Sequence, residues 1–193
     1  MKYLSVLLSL IASSALYAQS PTAVRDQVFG ETDAVKKQAE ELNAKILAPE
    51  SYAAGMKVYL EAVDTMEKGK DLERVREELG EAKGHFQRSV DASKLAQTTF
   101  TQALAMRSSA EKAESAKYAA KDWQRAEATL MDAAATLESG NLNKATKAGK
   151  SAEEAYHATE TKAIAAKCVG AFVEPRKKVA WDVGLITLYP SRA

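Results

Sequence analysis

Apolar residues recur every three or four positions along most of the chain, which is the spacing of one face of an α-helix. One such stripe runs from Tyr52 to Met66, and a second runs from Leu72 to Phe86. Gly69 lies between them, where a left-handed residue would end the first helix. Two striped helices joined by so short a link predict an antiparallel helical hairpin.

The hairpin pattern occurs twice. The sequence "TMEKGK" at 65–70 is repeated in similar form as "TLESGN" at 136–141, which is an offset of 71 residues (136 − 65). After the glycine, the offset between matched positions is 70 residues (156 − 86). The matched pairs are Tyr52 with Trp123, Thr65 with Thr136, Glu67 with Glu138, Gly69 with Gly140, and Phe86 with Tyr156. This repetition predicts a duplicated hairpin that turns near each glycine, with one copy at about 49–116 and the other at about 118–167.

An earlier amphipathic helix is predicted from Pro21, with Ser20 as its N-cap, to the sequence before Pro49. Residues 91–117 contain neither proline nor glycine. They therefore predict that the helix beginning at Asp71 continues to about Lys117, a length of about 70 Å. The predicted fold class is all-α, with elongated antiparallel hairpins that are TPR-like or coiled-coil-like.

Composition agrees with a helical protein that has an apolar core. The chain has 193 residues, of which 46% are hydrophobic and only 7% are aromatic. This hydrophobic content is sufficient for the core of a helical domain at 19–167. Without Lys2, its 27 basic and 26 acidic residues balance (27 − 1 − 26 = 0), and their signs alternate along the helices. Such charges are typical of solvated helix faces, so no nucleic acid partner is expected.

The first eighteen residues, "MKYLSVLLSLIASSALYA", combine one lysine, an apolar run and small residues. This layout is typical of a secretory signal peptide, here cleaved after Ala15 or Ala18. The expected location is the bacterial periplasm, with an outer-membrane association left open. A transmembrane span after cleavage is not expected, because charges at 174–178 interrupt the late apolar stretch.

No set of residues predicts catalysis, a metal or a cofactor. His85 and His157 are not equivalent in the repeat, and no histidine, cysteine or carboxylate set has the spacing of metal ligands. The neighbouring acids at 77–78 and 153–154 would point about 100° apart on a helix. We therefore expect a protein that is not an enzyme.

The matched aromatic residues Tyr52 and Trp123 begin the two hairpins, and Phe86 and Tyr156 occupy matched places in the helices that follow. These four are the candidate interaction or packing anchors. Exposed stacking platforms are one interpretation, but packing between helices is the one we favour.

The last segment, 168–193, differs in character from the repeats. The spaced alanines stop near Lys167, β-branched residues become frequent, and Cys168 is the one cysteine in the chain. A lone cysteine cannot form an intramolecular disulfide. The segment is either a docking arm or a truncated or frame-shifted end, and we favour the second interpretation.

The stretches "LAPESYAAGMKVYLEA" and "YAAKDWQRAEATLMDAAATLESGNLNKATKAGKSAEEAYHATETKAI" carry a family resemblance. Together they resemble a family of uncharacterised bacterial envelope segments, alanine-rich helical repeats often found ahead of an OmpA-type peptidoglycan-binding domain. The resemblance implies a periplasmic spacer or adaptor that faces the cell wall. Peptidoglycan binding would require the OmpA-type domain, which has no match in this sequence.

The sequence therefore favours a non-enzymatic scaffold, spacer or adaptor of the cell envelope whose partners are other envelope proteins. The alternative is a helical carrier of lipids or amphiphiles, in which alanine-lined helices open to expose their apolar stripe. A strongly cationic amphipathic helix would support the carrier, whereas these helices are close to neutral. The oligomeric state stays open.

We predict that the exported chain begins near Gln19, because signal peptidase cuts after small residues such as Ala18. Mass spectrometry of periplasmic material should find an N-terminal peptide that lacks Lys2. An N-terminal peptide that retains Lys2 would contradict export by this route.

Overall fold

The computed structural model describes residues 21–69 and 71–187, with side chains described at 24–69 and 71–169. Every regular element within these ranges is a helix, which confirms the all-α prediction. The predicted signal peptide at 1–18 and the predicted cap Ser20 lie outside the described residues. Pro21 is the first residue of the first helix, as its fixed backbone angle and missing N–H favour.

The described residues form two units of four helices each. The helices of unit 1 are α1 (Pro21–Glu41), α2 (Ala44–Leu47), α3 (Pro49–Glu67) and α4 (Leu72–Thr99). Those of unit 2 are α5 (Thr101–Lys112), α6 (Ser115–Tyr118), α7 (Ala120–Glu138) and α8 (Leu142–Thr187). The third helix of each unit runs antiparallel to the other two long helices, so each unit is a bundle of three long helices with a short helix at one end.

The turns of both hairpins follow the prediction. Gly69 has φ 63° and Gly140 has φ 84°, the left-handed conformation that glycine adopts without a steric penalty. Each following helix is capped by a side chain just beyond the glycine. Asp71 accepts a hydrogen bond from the N–H of Glu73 at 3.0 Å, and Asn141 accepts one from the N–H of Lys144 at 3.1 Å.

The predicted helix ends before each hairpin were wrong. The first helix ends at Glu41 rather than near Pro49, because Asn43 adopts a left-handed conformation with φ 55°. The helical segment that was predicted to reach Lys117 ends at Lys112, because Glu114 takes the same conformation with φ 59°. Asparagine tolerates this region, but glutamate adopts it rarely, so the second break is imposed by packing and had no local signal.

A single residue, Phe100, joins the two units. Its backbone departs from helical angles, with φ −108° and ψ 26°, so the helix predicted from Asp71 to about Lys117 is interrupted between α4 and α5. The N–H of Phe100 donates to Ala96 at 2.8 Å, and its carbonyl accepts from the N–H of Leu104 at 2.9 Å. The third long helix of unit 1 is therefore followed, after one residue, by the first long helix of unit 2.

The core consists of large aromatic residues set among small ones. Phe29 and its repeat counterpart Phe100 are 1% and 2% exposed, and Phe86 and Tyr156 are fully buried. Eight alanines line the core of unit 2, which lets the helices approach closely: Ala96, Ala103, Ala110, Ala126, Ala133, Ala134, Ala145 and Ala152. Leu47, from unit 1, also packs in this core, so the apolar interior continues across the unit boundary.

Helix α8 does not end where the alanine stripe stops. It continues past Lys167 and through Pro175 to Thr187. Cys168 is exposed on this helix. The change of composition at residue 168 therefore does not coincide with a helix boundary.

We predict opposite effects of the same substitution at two helical glycines. A Cβ at Gly149 would lie 2.6 Å from the ring of Phe100, whereas a Cβ at Gly84 would meet no atom within 4 Å. Gly149→Ala should lower the free energy of unfolding by about 1–3 kcal/mol through overpacking. Gly84→Ala should raise it by about 0.5–1 kcal/mol through helix propensity. Chemical denaturation measures both, and equal effects would contradict this account of the core.

Candidate functional site

The most polar constellation in the described interior lies between α5, α7 and α8. Arg107 forms a bidentate pair with Glu127, with Nε to Oε1 at 2.7 Å and an Nη to Oε2 at 3.1 Å. The hydroxyl of Tyr156 donates to the same Oε1 at 2.7 Å. The guanidinium of Arg107 also lies 5.4 Å from the ring centre of Trp123. We call these four residues the polar cluster.

The surroundings of Tyr156 in the polar cluster favour its neutral, protonated form. Burial raises the pKa of Tyr156 well above its usual value, and its hydrogen bond to the Glu127 carboxylate raises it further. The side chains of Arg107 and Glu127 are 24% and 19% exposed, so their attraction is less screened than that of a surface pair. The Arg107, Glu127 and Tyr156 side chains are directed at one another, which is the arrangement of a structural network.

Unit 1 does not repeat this network at the equivalent positions. Lys36 occupies the place of Arg107, Met56 that of Glu127, and Phe86 that of Tyr156. The amine of Lys36 instead pairs with Glu40 at 2.7 Å. Unit 1 has a different network, in which Tyr59 donates to Asp33 at 2.6 Å and accepts from Arg25 at 3.2 Å. The repeat therefore preserves the packing of these positions and changes their chemistry.

The four predicted anchors form two matched aromatic pairs. The rings of Tyr52 and Phe86 are 5.7 Å apart, and those of Trp123 and Tyr156 are also 5.7 Å apart. Each pair joins the third helix of a unit to the fourth, at distances typical of aromatic packing. An additional role in binding a partner stays a prediction.

The other candidate residues do not come together. His85 contacts Arg88 and the exposed Glu81, while His157 is exposed on α8. Within the described residues, no three histidine, cysteine or acidic side chains are placed to hold a metal ion. The described helices also include none that is both long and apolar enough to cross a membrane.

Each unit has an open groove between its first and fourth helices. The groove of unit 1 has a volume of about 700 Å³, and Val28, Leu79 and Lys83 are among its lining residues. The groove of unit 2 has a volume of about 280 Å³ and is lined at the equivalent places by Thr99, Gly149 and Glu153. An ion pair between Lys83 and Glu31, at 2.6 Å, borders the larger groove. The grooves are thus a repeated surface feature whose chemistry differs between the units.

A carboxylate from unit 2 caps a helix of unit 1. Glu138, in the last turn of α7, accepts hydrogen bonds from the backbone N–H groups of Glu50 at 2.9 Å and Ser51 at 3.1 Å. These groups lie in the first turn of α3, where N–H groups have no partner within the helix and attract negative charge. We call this contact the inter-unit cap. The sequence did not predict this contact, because Glu138 lies 88 positions from Glu50.

Comparison of the chain with family models, curated proteins and solved structures finds no match.

We predict that Glu127→Ala lowers the free energy of unfolding by about 2 kcal/mol, because it removes the charged partner of both Arg107 and Tyr156. Glu111→Ala is the matched control, since Glu111 lies 3.9 Å from Arg107 and is 67% exposed. The control should change stability by less than about 0.5 kcal/mol. Denaturant titration of both variants measures the difference, and equal losses would show that the cluster contributes no more than a surface pair.

Proposed function

We propose that this protein is a non-enzymatic spacer or adaptor of the bacterial periplasm, which holds envelope partners at a set separation along a helical rod. The observation that carries the proposal is the packed connection between the two units. A single residue, Phe100, joins α4 to α5, and its ring is 2% exposed in the core of unit 2. A hinge at this residue would have to expose that ring.

Two further contacts support a rigid connection. The inter-unit cap joins the end of α7 to the beginning of α3 through two hydrogen bonds. Leu47, at 3% exposure, inserts from α2 into the core of unit 2. Bending the junction would expose this apolar side chain and leave two helix N–H groups without their acceptor.

The contacts within the polar cluster support a non-enzymatic role, because its polar groups bind one another. Tyr156 is fully buried, and its hydroxyl is engaged by Glu127, which is itself held by Arg107. The cluster stabilises the packing of three helices, and its groups face one another. The matched aromatic pairs have the same role in both units, as expected for repeated structural parts.

The periplasmic location is proposed from the signal-peptide layout of 1–18 and from the resemblance to envelope repeat segments. The proposed partners are other envelope proteins. An association with the outer membrane or the cell wall would come through those partners.

A lipid or amphiphile carrier is the second candidate, and the 700 Å³ groove of unit 1 is the observation that favours it. Val28 and Leu79 supply apolar lining, but the charged Lys83–Glu31 pair borders the opening. A carrier would float with liposomes, whereas a spacer would stay in the soluble fraction.

The spacer proposal predicts one narrow distance between equivalent points of the two units. Spin labels at Glu77→Cys and Lys147→Cys, in a Cys168→Ser background, mark exposed positions related by the repeat (147 − 77 = 70). A pair on α4 alone, Glu77→Cys with Asp91→Cys, is the rigid control at about 21 Å between backbones. Pulsed electron resonance should give the same distribution width for both pairs. A broad inter-unit distribution would overturn the spacer proposal.

A further inference from the structure

The interface between the two units of one chain has two complementary halves. Unit 2 contributes the end of α7, where Ala134 is fully buried, Leu137 is 7% exposed, and Glu138 forms the inter-unit cap. Unit 1 contributes α2, with Leu47, and the first turn of α3. Because the units are repeats, each half has a counterpart on the opposite unit.

The counterpart of the α7 half lies at the end of α3, and among the described residues it is more exposed than the α7 half. Val63 and Met66 take the places of Ala134 and Leu137, and both are only partly buried. Leu60 on the same side of the helix is 57% exposed. Glu67 takes the place of Glu138 and is exposed. We call these four residues the tip face.

The counterpart of the other half lies on α6, α7 and α8. Tyr118 is the repeat counterpart of Leu47. The backbone N–H groups at the start of α7, on Lys121 and Asp122, correspond to the two N–H groups that Glu138 binds at the start of α3 (121 − 50 = 71). Ala166 on α8 takes the place of Ala96 (166 − 96 = 70), and it is exposed whereas Ala96 is fully buried. We call this surface the receiving face.

The helix start at the receiving face is less negative than the one at the interface already formed. Within the chain, the carboxylate of Glu138 approaches a helix start that carries the acidic Glu50 beside the neutral Ser51. At the receiving face these positions are Lys121 and Asp122, and Asp122 is paired with Lys162 at 2.8 Å. A glutamate arriving there would therefore meet both helix N–H groups and less opposing charge.

We propose that the receiving face binds the tip face of a second copy of this chain, with Glu67 of one copy capping α7 of the next. The occupant is a second copy because unit 1 carries the face that matches this surface, and because the contact extends an interface that the chain already forms internally. The contact is heterologous, so it adds copies end to end. This inference goes beyond the proposed spacer function.

The experiment uses the chain starting at Gln19, which keeps every described residue, with Cys168→Ser. A mixture of the Glu67→Cys and Lys121→Cys variants should form a disulfide-linked dimer under mild oxidation. The matched control replaces Glu67→Cys by Glu61→Cys, which is exposed on the opposite side of α3, and it should give no dimer above background.

Sedimentation provides the second measurement. Glu67→Lys should weaken self-association by about tenfold or more, and Glu61→Lys, with the same change of charge, should leave it unchanged. Both sites are exposed, so the melting temperatures of the two variants should match. Equal crosslinking from positions 61 and 67, or equal self-association of the two lysine variants, would overturn the proposal. Such a result would not contradict the spacer function, because the spin-label distances that test the spacer function are measured within one chain.

Discussion

The one-residue link at Phe100 between α4 and α5 is the constraint on which the rest of the structure depends. It places the first long helix of unit 2 directly after the last long helix of unit 1, so the second hairpin must pack beside the end of the first. This placement brings Leu47 into the core of unit 2 and Glu138 to the start of α3. A flexible linker at the same point would have allowed two independent bundles, with no shared core and no inter-unit cap.

Close packing of aromatic rings against glycines positions helices in both units, although at different repeat positions. Phe86 lies where a Cβ on Gly55 would be 2.9 Å from its ring, and Phe100 has the same relation to Gly149 at 2.6 Å. These contacts are specific because they involve backbone, which cannot move aside as a flexible side chain can. The polar residues differ between the units. Unit 2 has the Arg107–Glu127 pair where unit 1 has Lys36 and Met56.

Much of the fold could be predicted from the sequence, because its signals are local. The 3–4 spacing of apolar residues predicted the long helices, and Gly69 and Gly140 predicted the hairpin turns, since both depend on residues close in the chain. The short helices α2 and α6 were missed. Their starts depend on left-handed residues at Asn43 and Glu114, and a glutamate gives no local indication of that conformation. The repeat identified the four aromatic residues, but only the structure shows that Tyr52 contacts Phe86 and that Trp123 contacts Tyr156.

The sequence by itself determined the helical class, the duplication and the positions of the turns, because helix periodicity and glycine conformation are properties of short segments. Only the tertiary structure decided which polar groups meet. Glu127 and Tyr156 are separated by 29 positions, and Glu138 lies 88 positions from Glu50, so no local pattern could pair them. The tertiary structure also distinguished Glu138 from Glu67, which are identical in the repeat. One caps a helix and the other is exposed, because the chain places a helix start beside only the first.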